Sequence, residues 1–257
     1  GNASGYSFGA GGTQVQVGYG QSDTLVGGYY NFTNGSFDGA GAAGIEIHDF
    51  GGFLLRKEAW SHFLLSAGGG TASTHLNRTV VFGNTDLQDP IADRFSSSST
   101  AGVMSAYGEF GLDAEFDGFA VRPFTGLSYA YVSSSGIDEG TALLALDGRI
   151  NSQHSLRSML GTDLSLCVPG QQNLVWDLRA MWMHEFQKQK AGRATYDFDG
   201  ERVQISGVGL GSDFAVIGTT LSREFLNGRS RLFASYDLIA NRHQTLNTGS
   251  GGLEFLW

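Results

Sequence analysis

The sequence has no run of 18 or more apolar residues, so no transmembrane helix can be drawn through it. It has a single cysteine, Cys167, which excludes an internal disulfide and a thiolate metal cage. Proline occurs only at Pro90, Pro123 and Pro169. Positive charge is in short supply: 16 Lys and Arg face 25 Asp and Glu, giving a formal net charge of −9. With no basic stripe, a nucleic-acid partner is not expected. The opening residues, Gly1 to Gly5, lack a charged segment followed by an apolar core, so they do not form a signal peptide, and the chain reads as cut from a longer precursor.

Motifs for chemistry are also wanting. The histidines, His48, His62, His75, His154, His184 and His243, never fall into a His-Glu-x-x-His spacing. No Gly-x-Ser-x-Gly elbow occurs. The glycines of Gly207 to Gly211 lack the Lys-Ser/Thr of a phosphate loop. Asp197, Asp199 and Glu201 alternate before and after Gly200, but a calcium loop needs more oxygen ligands at fixed offsets. No catalytic residue, metal or cofactor is therefore expected. A surface hydrolase would require several of His75, Asp86, Asp89, Asp197 and Asp199 to meet at one rim.

What is present is glycine, 39 residues of 257, about double the average share. There is no Gly-X-Y period, and aromatic residues at 12% lie inside patterned segments, so neither collagen nor disorder fits. The patterning is period two. From Gly102 to Phe116, Met104, Ala106, Phe110, Leu112 and Phe116 alternate with Ser105, Tyr107, Glu109, Asp113 and Glu115. From Asn173 to Phe186, Leu174, Trp176, Leu178 and Trp182 alternate with Asp177, Arg179, Met183 and Glu185. Ser155 to Val168 sets leucines against Arg157, Asp163 and Ser165, and Arg231 to Asn241 sets Leu232, Tyr236 and Leu238 against Arg231, Ser235 and Asp237. Side chains alternate faces along a strand, so each segment has one apolar and one charged face.

These segments are two to three times the usual soluble strand of about 5–6 residues. A tilted strand crossing a bilayer needs about 9–11. Connections alternate between short turns (Gln21–Asp23, Phe116–Gly118, Pro169–Gln172, Asn227–Arg229) and long stretches (Phe82–Ser99, Ser133–Gln153, Gln187–Asp213). That asymmetry is typical of outer-membrane barrels. The expected fold is all-β: an antiparallel transmembrane β-barrel forming one domain, 1–257. Eleven strands are expected, near 6–20, 24–33, 40–51, 57–78, 101–116, 119–132, 154–168, 173–188, 213–226, 231–242 and 248–257. Bacterial barrels usually have an even number, so about 12 are expected in the complete domain, with one strand before Gly1. Lumen-facing polar residues are expected at Glu109, Asp113, Arg122, Arg157, Asp163, Asp177, Arg179, Glu185, Arg231 and Asp237, pairing in an order that sequence leaves open. Ser96 to Thr100 is expected to be a loop tip, and His48-Asp49 to lie nearer the short-turn end.

Several stretches resemble one family in order and spacing: Gly5–Phe8 with Gly11–Gly20, Arg122–Tyr129, Asp138–Gly140, Ser155–Gly161, Trp182–Phe186 and Tyr236-Asp237. Together they resemble the C-terminal β-barrel translocator domain of autotransporters, the type V secretion proteins. The last strand resembles the targeting signal of outer-membrane barrels, with Ser250, Gly252, Phe255 and Trp257 matching in turn. The resemblance implies a non-enzymatic domain in the Gram-negative outer membrane that anchors and helps export an upstream passenger. Its implied partners are outer-membrane lipid, the barrel-assembly machinery and its own passenger, with the domain acting as a monomer. The family's linker helix is not visible in this sequence. A passive pore or surface receptor without a passenger is the alternative. Glu139, in the connection after Tyr131, resembles a recurrent acidic position and is expected to fold inward, because Ala142 to Leu146 is too apolar for a free loop.

Overall fold

A computed structural model describes residues 7–38, 42–82, 91–140, 145–171, 173–187, 193–198, 201–206, 211–226 and 228–255. Its main sheet contains β1 (Ser7–Gln21), β2 (Thr24–Asp38), β3 (Ala42–Glu58), β4 (Ser61–Phe82), β5 (Ile91–Leu112), β6 (Ala114–Phe116) and β7 (Phe119–Val132). It continues with β10 (Gln153–Cys167), β11 (Leu174–Glu185), β14 (Asp213–Phe225), β15 (Ser230–Ala240) and β16 (Thr245–Phe255). This is one antiparallel, curled sheet of 12 strands in which spatial neighbours follow chain order. β6 prolongs β5: Gly111 faces Phe124 and Ala114 faces Val121 in one unbroken register against β7. Counted as crossings, the described sheet therefore has 11, in keeping with the sequence expectation.

Local chemistry sets the turns. Asp117-Gly118 joins the directly paired Phe116 and Phe119, with Gly118 at φ 83°. An Asp-Gly pair is the favoured two-residue hairpin connection because glycine takes positive φ without steric cost. Ser22-Asp23 and Ala59-Trp60 make equally short turns between Gln21 and Thr24 and between Glu58 and Ser61. The two-residue turns all lie at one end of the sheet, and the connections after β4, β7 and β11 all lie at the other.

Three expectations are corrected. β3 runs on to Glu58, so His48-Asp49 lies nearer the loop end of its strand than the turn end. The ambiguous alternation through Gly51-Gly52 had hidden the strand's second half. Ser96 to Thr100 is no loop tip: it pairs with Ser73 to Asn77 inside the 22-residue β5. Serine-rich sequence is a weak strand former alone, but Ser73 to Asn77 of β4 opposite give it a ladder. The connections after β7 and β11 also carry strands of their own. β8 (Ser135–Asp138), β9 (Asp147–Ile150), β12 (Arg193–Phe198) and β13 (Glu201–Ser206) form a second sheet ordered β13-β12-β9-β8.

Candidate functional site

Directly opposite residues of an antiparallel pair share a face, so the registers sort every side chain to one side of the sheet. One face holds the buried side chains, Ala72, Phe95, Phe124, Met159, Met183, Phe214 and Val216 among them. It is the inner face of the curl, where side chains converge. The other holds most of the large exposed apolar residues: Tyr19 is 75% exposed, Leu253 63%, Met104 62%, Ile217 61% and Leu160 60%. Soluble proteins do not leave so much contiguous apolar surface in water. At the turn end this outer face also carries Phe116 stacked on Phe119 at 4.7 Å, Trp176 and Phe225, and at the loop end Tyr30, Tyr129 and Trp182. Aromatic side chains thus mark both edges of the apolar zone, as in membrane barrels.

All ten polar residues singled out from sequence lie on the inner face. Arg122, Asp163, Arg179, Gly218 and Asp237 form one cross-strand row through β7, β10, β11, β14 and β15. Arg179 donates through Nε and Nη2 to the two Asp163 oxygens at 2.7 and 2.9 Å, a bidentate pair. Arg122 lies 3.3 Å from Asp113 and donates to Ser165 at 2.9 Å. Ser165 in turn donates to Asp177, whose carboxylate is 3.9 Å from Arg231. Arg231 reaches Glu254 of β16 at 3.4 Å. The contacts thus run from β5 to the last strand.

A Cβ at Gly218 would lie 2.3 Å from the Asp237 carboxylate, so any larger residue there would require that side chain to turn aside. Asp237 has no ion pair among the described residues and borders, with Arg122, Arg179 and Arg231, a polar cavity of about 360 Å³. Glu185 is a deeply enclosed charge, 3% exposed. It accepts from Ser155 Oγ at 2.5 Å, Leu156 N at 2.9 Å, Arg157 at 3.1 Å and Gln187 N at 3.0 Å.

Sequence reasoning missed the hub at the start of this chain of contacts. His62 of β4 sits between two carboxylates, with Nδ1 3.1 Å from Asp113 and Nε2 3.2 Å from Glu109. Tyr107 donates to Glu109 from the same strand. His62 shares the period-two phase of Leu64 and Ser66, which was the available signal, but the ambiguous stretch before Gly70 obscured it. The inner face is also less uniformly polar than expected, since Met159, Met183, Phe214 and Val216 pack together on it beyond the charged rows.

Glu139 is turned inward, as expected, while Ala142 to Leu144 of the apolar run lie outside the described residues. Its carboxylate is wholly covered, and accepts from both Arg78 of β4 and from Leu146 N at 2.8 Å. Arg78 stacks over Phe95 at 4.7 Å, and Ile137 of β8 is buried. Of the final-strand residues, Ser250 and Gly252 lie on the inner face and Phe255 on the outer, while Trp257 lies outside the described residues. His75 contacts Ser98 at 2.8 Å and meets no acidic residue among the described residues; Asp197 stands on β12 opposite Asp147, and Asp86, Asp89 and Asp199 lie outside the described residues. No group of three or more metal-ligating side chains occurs among the described residues.

A family model described as the autotransporter β-domain matches residues 1–237. The chain belongs to the autotransporter β-domain family. Such a domain resides in the Gram-negative outer membrane, exports a passenger across it and is not catalytic. Two solved structures agree with this autotransporter β-domain in fold. The translocator domain of the autotransporter NalP from Neisseria meningitidis aligns with TM-score 0.76 and 14% identity, over 97% of this chain and 82% of that one. The β domain of the Bordetella autotransporter BrkA aligns with TM-score 0.59 and 13% identity, over 97% and 91% of the two chains. No curated protein matches the chain.

Proposed function

We propose that residues 1–257 act as one monomeric translocator domain whose inner charged face lines the passenger's route. The observation that carries this is the separation of faces: charges bridging β4 to β16 on one side, and apolar side chains on the other. A sheet closed on itself satisfies every backbone group, which is what lets strands cross lipid. The two edge strands, β1 and β16, both run from the loop end to the turn end. Antiparallel closure between them takes one further strand running the other way, which would complete a barrel of 12 crossings.

The outer face contacts outer-membrane lipid, and β16 is the strand read by the barrel-assembly machinery. β16 is amphipathic, with Ser250, Gly252 and Glu254 inward and Leu253 and Phe255 outward, and one backbone edge unpaired among the described residues. Such an edge can add to another sheet. The test expresses the precursor with an epitope tag just upstream of Gly1 and probes intact cells with antibody and protease. Surface exposure that is lost in a Phe255→Ser, Trp257→Ser double variant is the expected result. A variant that still assembles and displays the tag would remove the assembly role from this strand.

A further inference from the structure

The β4–β5 ribbon is longer than crossing requires. On β4 the outward positions Phe63, Leu65, Ala67 and Gly69 are apolar, opposite Phe110, Gly108, Ala106 and Met104 on β5. Ser61 to Gly70 is roughly 34 Å of strand at ~3.4 Å per residue, or roughly 25 Å of height at a tilt of ~40°, which spans the apolar band of an outer-membrane barrel. The ladder nevertheless continues from Thr71–Gly102 to Phe82–Ile91.

The two faces of this projection differ. Its inner side is covered, with Ala72, Phe95, Ser97 and Ala101 buried and β8 packed against β5. Its outer side stays exposed and changes character at Thr71. From there to Thr79 the outward positions are Thr71, Ser73, His75, Asn77 and Thr79 on β4, and Gly102, Thr100, Ser98, Ser96 and Arg94 on β5. Hydroxyls dominate, one guanidinium is present, and no carboxylate occurs among them, in a chain of net charge −9.

We propose that this face binds the phosphorylated sugar headgroups of outer-leaflet glycolipid. The proposal rests on the reading that the outer face meets lipid, because the hydroxyl face continues that surface upward without a break. It therefore stands where the sugars and phosphates of the leaflet begin. A paired ribbon of hydroxyls and an amide can donate to and accept from sugar hydroxyls, and Arg94 can pair with a phosphate. The β4–β5 stretch carries no outward carboxylate of its own; Glu46 of β3, opposite Ser73 on the same side, is held 2.7 Å from His48.

The test uses the purified full chain in detergent micelles, with phosphorylated rough-type lipopolysaccharide as probe. Controls are the same glycolipid after enzymatic dephosphorylation, and phosphatidylglycerol vesicles. Retention of the phosphorylated glycolipid is expected, falling about tenfold in Ser96→Glu, Ser98→Glu and severalfold in Arg94→Gln. Should the double variant fail to show the heat-modifiable mobility of a folded barrel, Arg94→Gln alone decides. Unchanged retention in a folded variant overturns the proposal, as does equal retention of the dephosphorylated glycolipid or of phosphatidylglycerol. Failure to enter phospholipid bilayers at all would instead sink the lipid-facing reading on which the proposal stands.

Discussion

The inner face is filled in two ways. Across β1 to β4 the filling is by glycine and close approach: Tyr29 lies over Gly51 and Gly68, so that a Cβ at either would come within 2.5 Å of its hydroxyl. At Gly70 a Cβ would come 1.8 Å from the His48 carbonyl. Polar side-chain contacts there are few, such as Asn31 donating to Asp49 at 3.1 Å. From β5 to β16 the filling is by long charged side chains that reach across strands. The lesson is that a curled sheet has two independent means of occupying its concave side. One depends on shape, tolerates no added atom and is indifferent to salt. The other depends on charge, adapts to side-chain changes and is screened by salt.

The sharpest way to break this comparison is Gly70→Val. Its side chain has no room against the β3 backbone, and loss of nearly all folded barrel is expected, read as heat-modifiable protein in the outer membrane. Near-normal assembly would show that the first region is not shape-limited. Glu185→Ala comes next: it strands Arg157 and several donors, and a loss of about 2–3 kcal/mol is expected in urea unfolding into micelles. Tyr29→Ala uncovers two glycines from a half-buried ring, and roughly 2 kcal/mol is expected, about half the full-burial figure for an aromatic. Its unfolding should be unchanged by 1 M salt.

Arg179→Ala removes a bidentate but half-exposed pair and should cost about 1 kcal/mol, with the effect fading as salt rises. Arg231→Ala, whose contacts are longer, 3.4 and 3.9 Å, should change stability by under about 0.5 kcal/mol. If Arg231→Ala were the more damaging of these two, the charged contacts would behave as one cooperative network and not as separate pairs.

Much of this was legible from period-two alternation alone. Faces follow from parity, so Arg157, Asp163, Asp177 and Arg179 could be put on one side without knowing their neighbours. Pairing depends on the stagger between strands, which no single strand encodes: that Arg122 faces Asp163 is a property of the β7–β10 register. Where parity itself was blurred, through Gly51-Gly52 and the glycines of Gly68 to Gly70, the strand end, the position of His48 and the hub at His62 were all lost together. The serine run failed for a different reason. Its strand character comes from partners 19 to 27 residues away, as in the pairing of Ser98 with His75. The second sheet was illegible because its pairing joins two separate connections.

That joining has a mechanical side. The ladder from Asp147–Asp197 to Ile150–Ala194 links the stretch after β7 to the stretch after β11, and so straddles the β10–β11 hairpin. Two connections that chain order would leave to wander separately are clasped like the ends of a belt above the hairpin they enclose. A pull on either one is shared by both, and neither can swing over the barrel mouth without carrying the other with it.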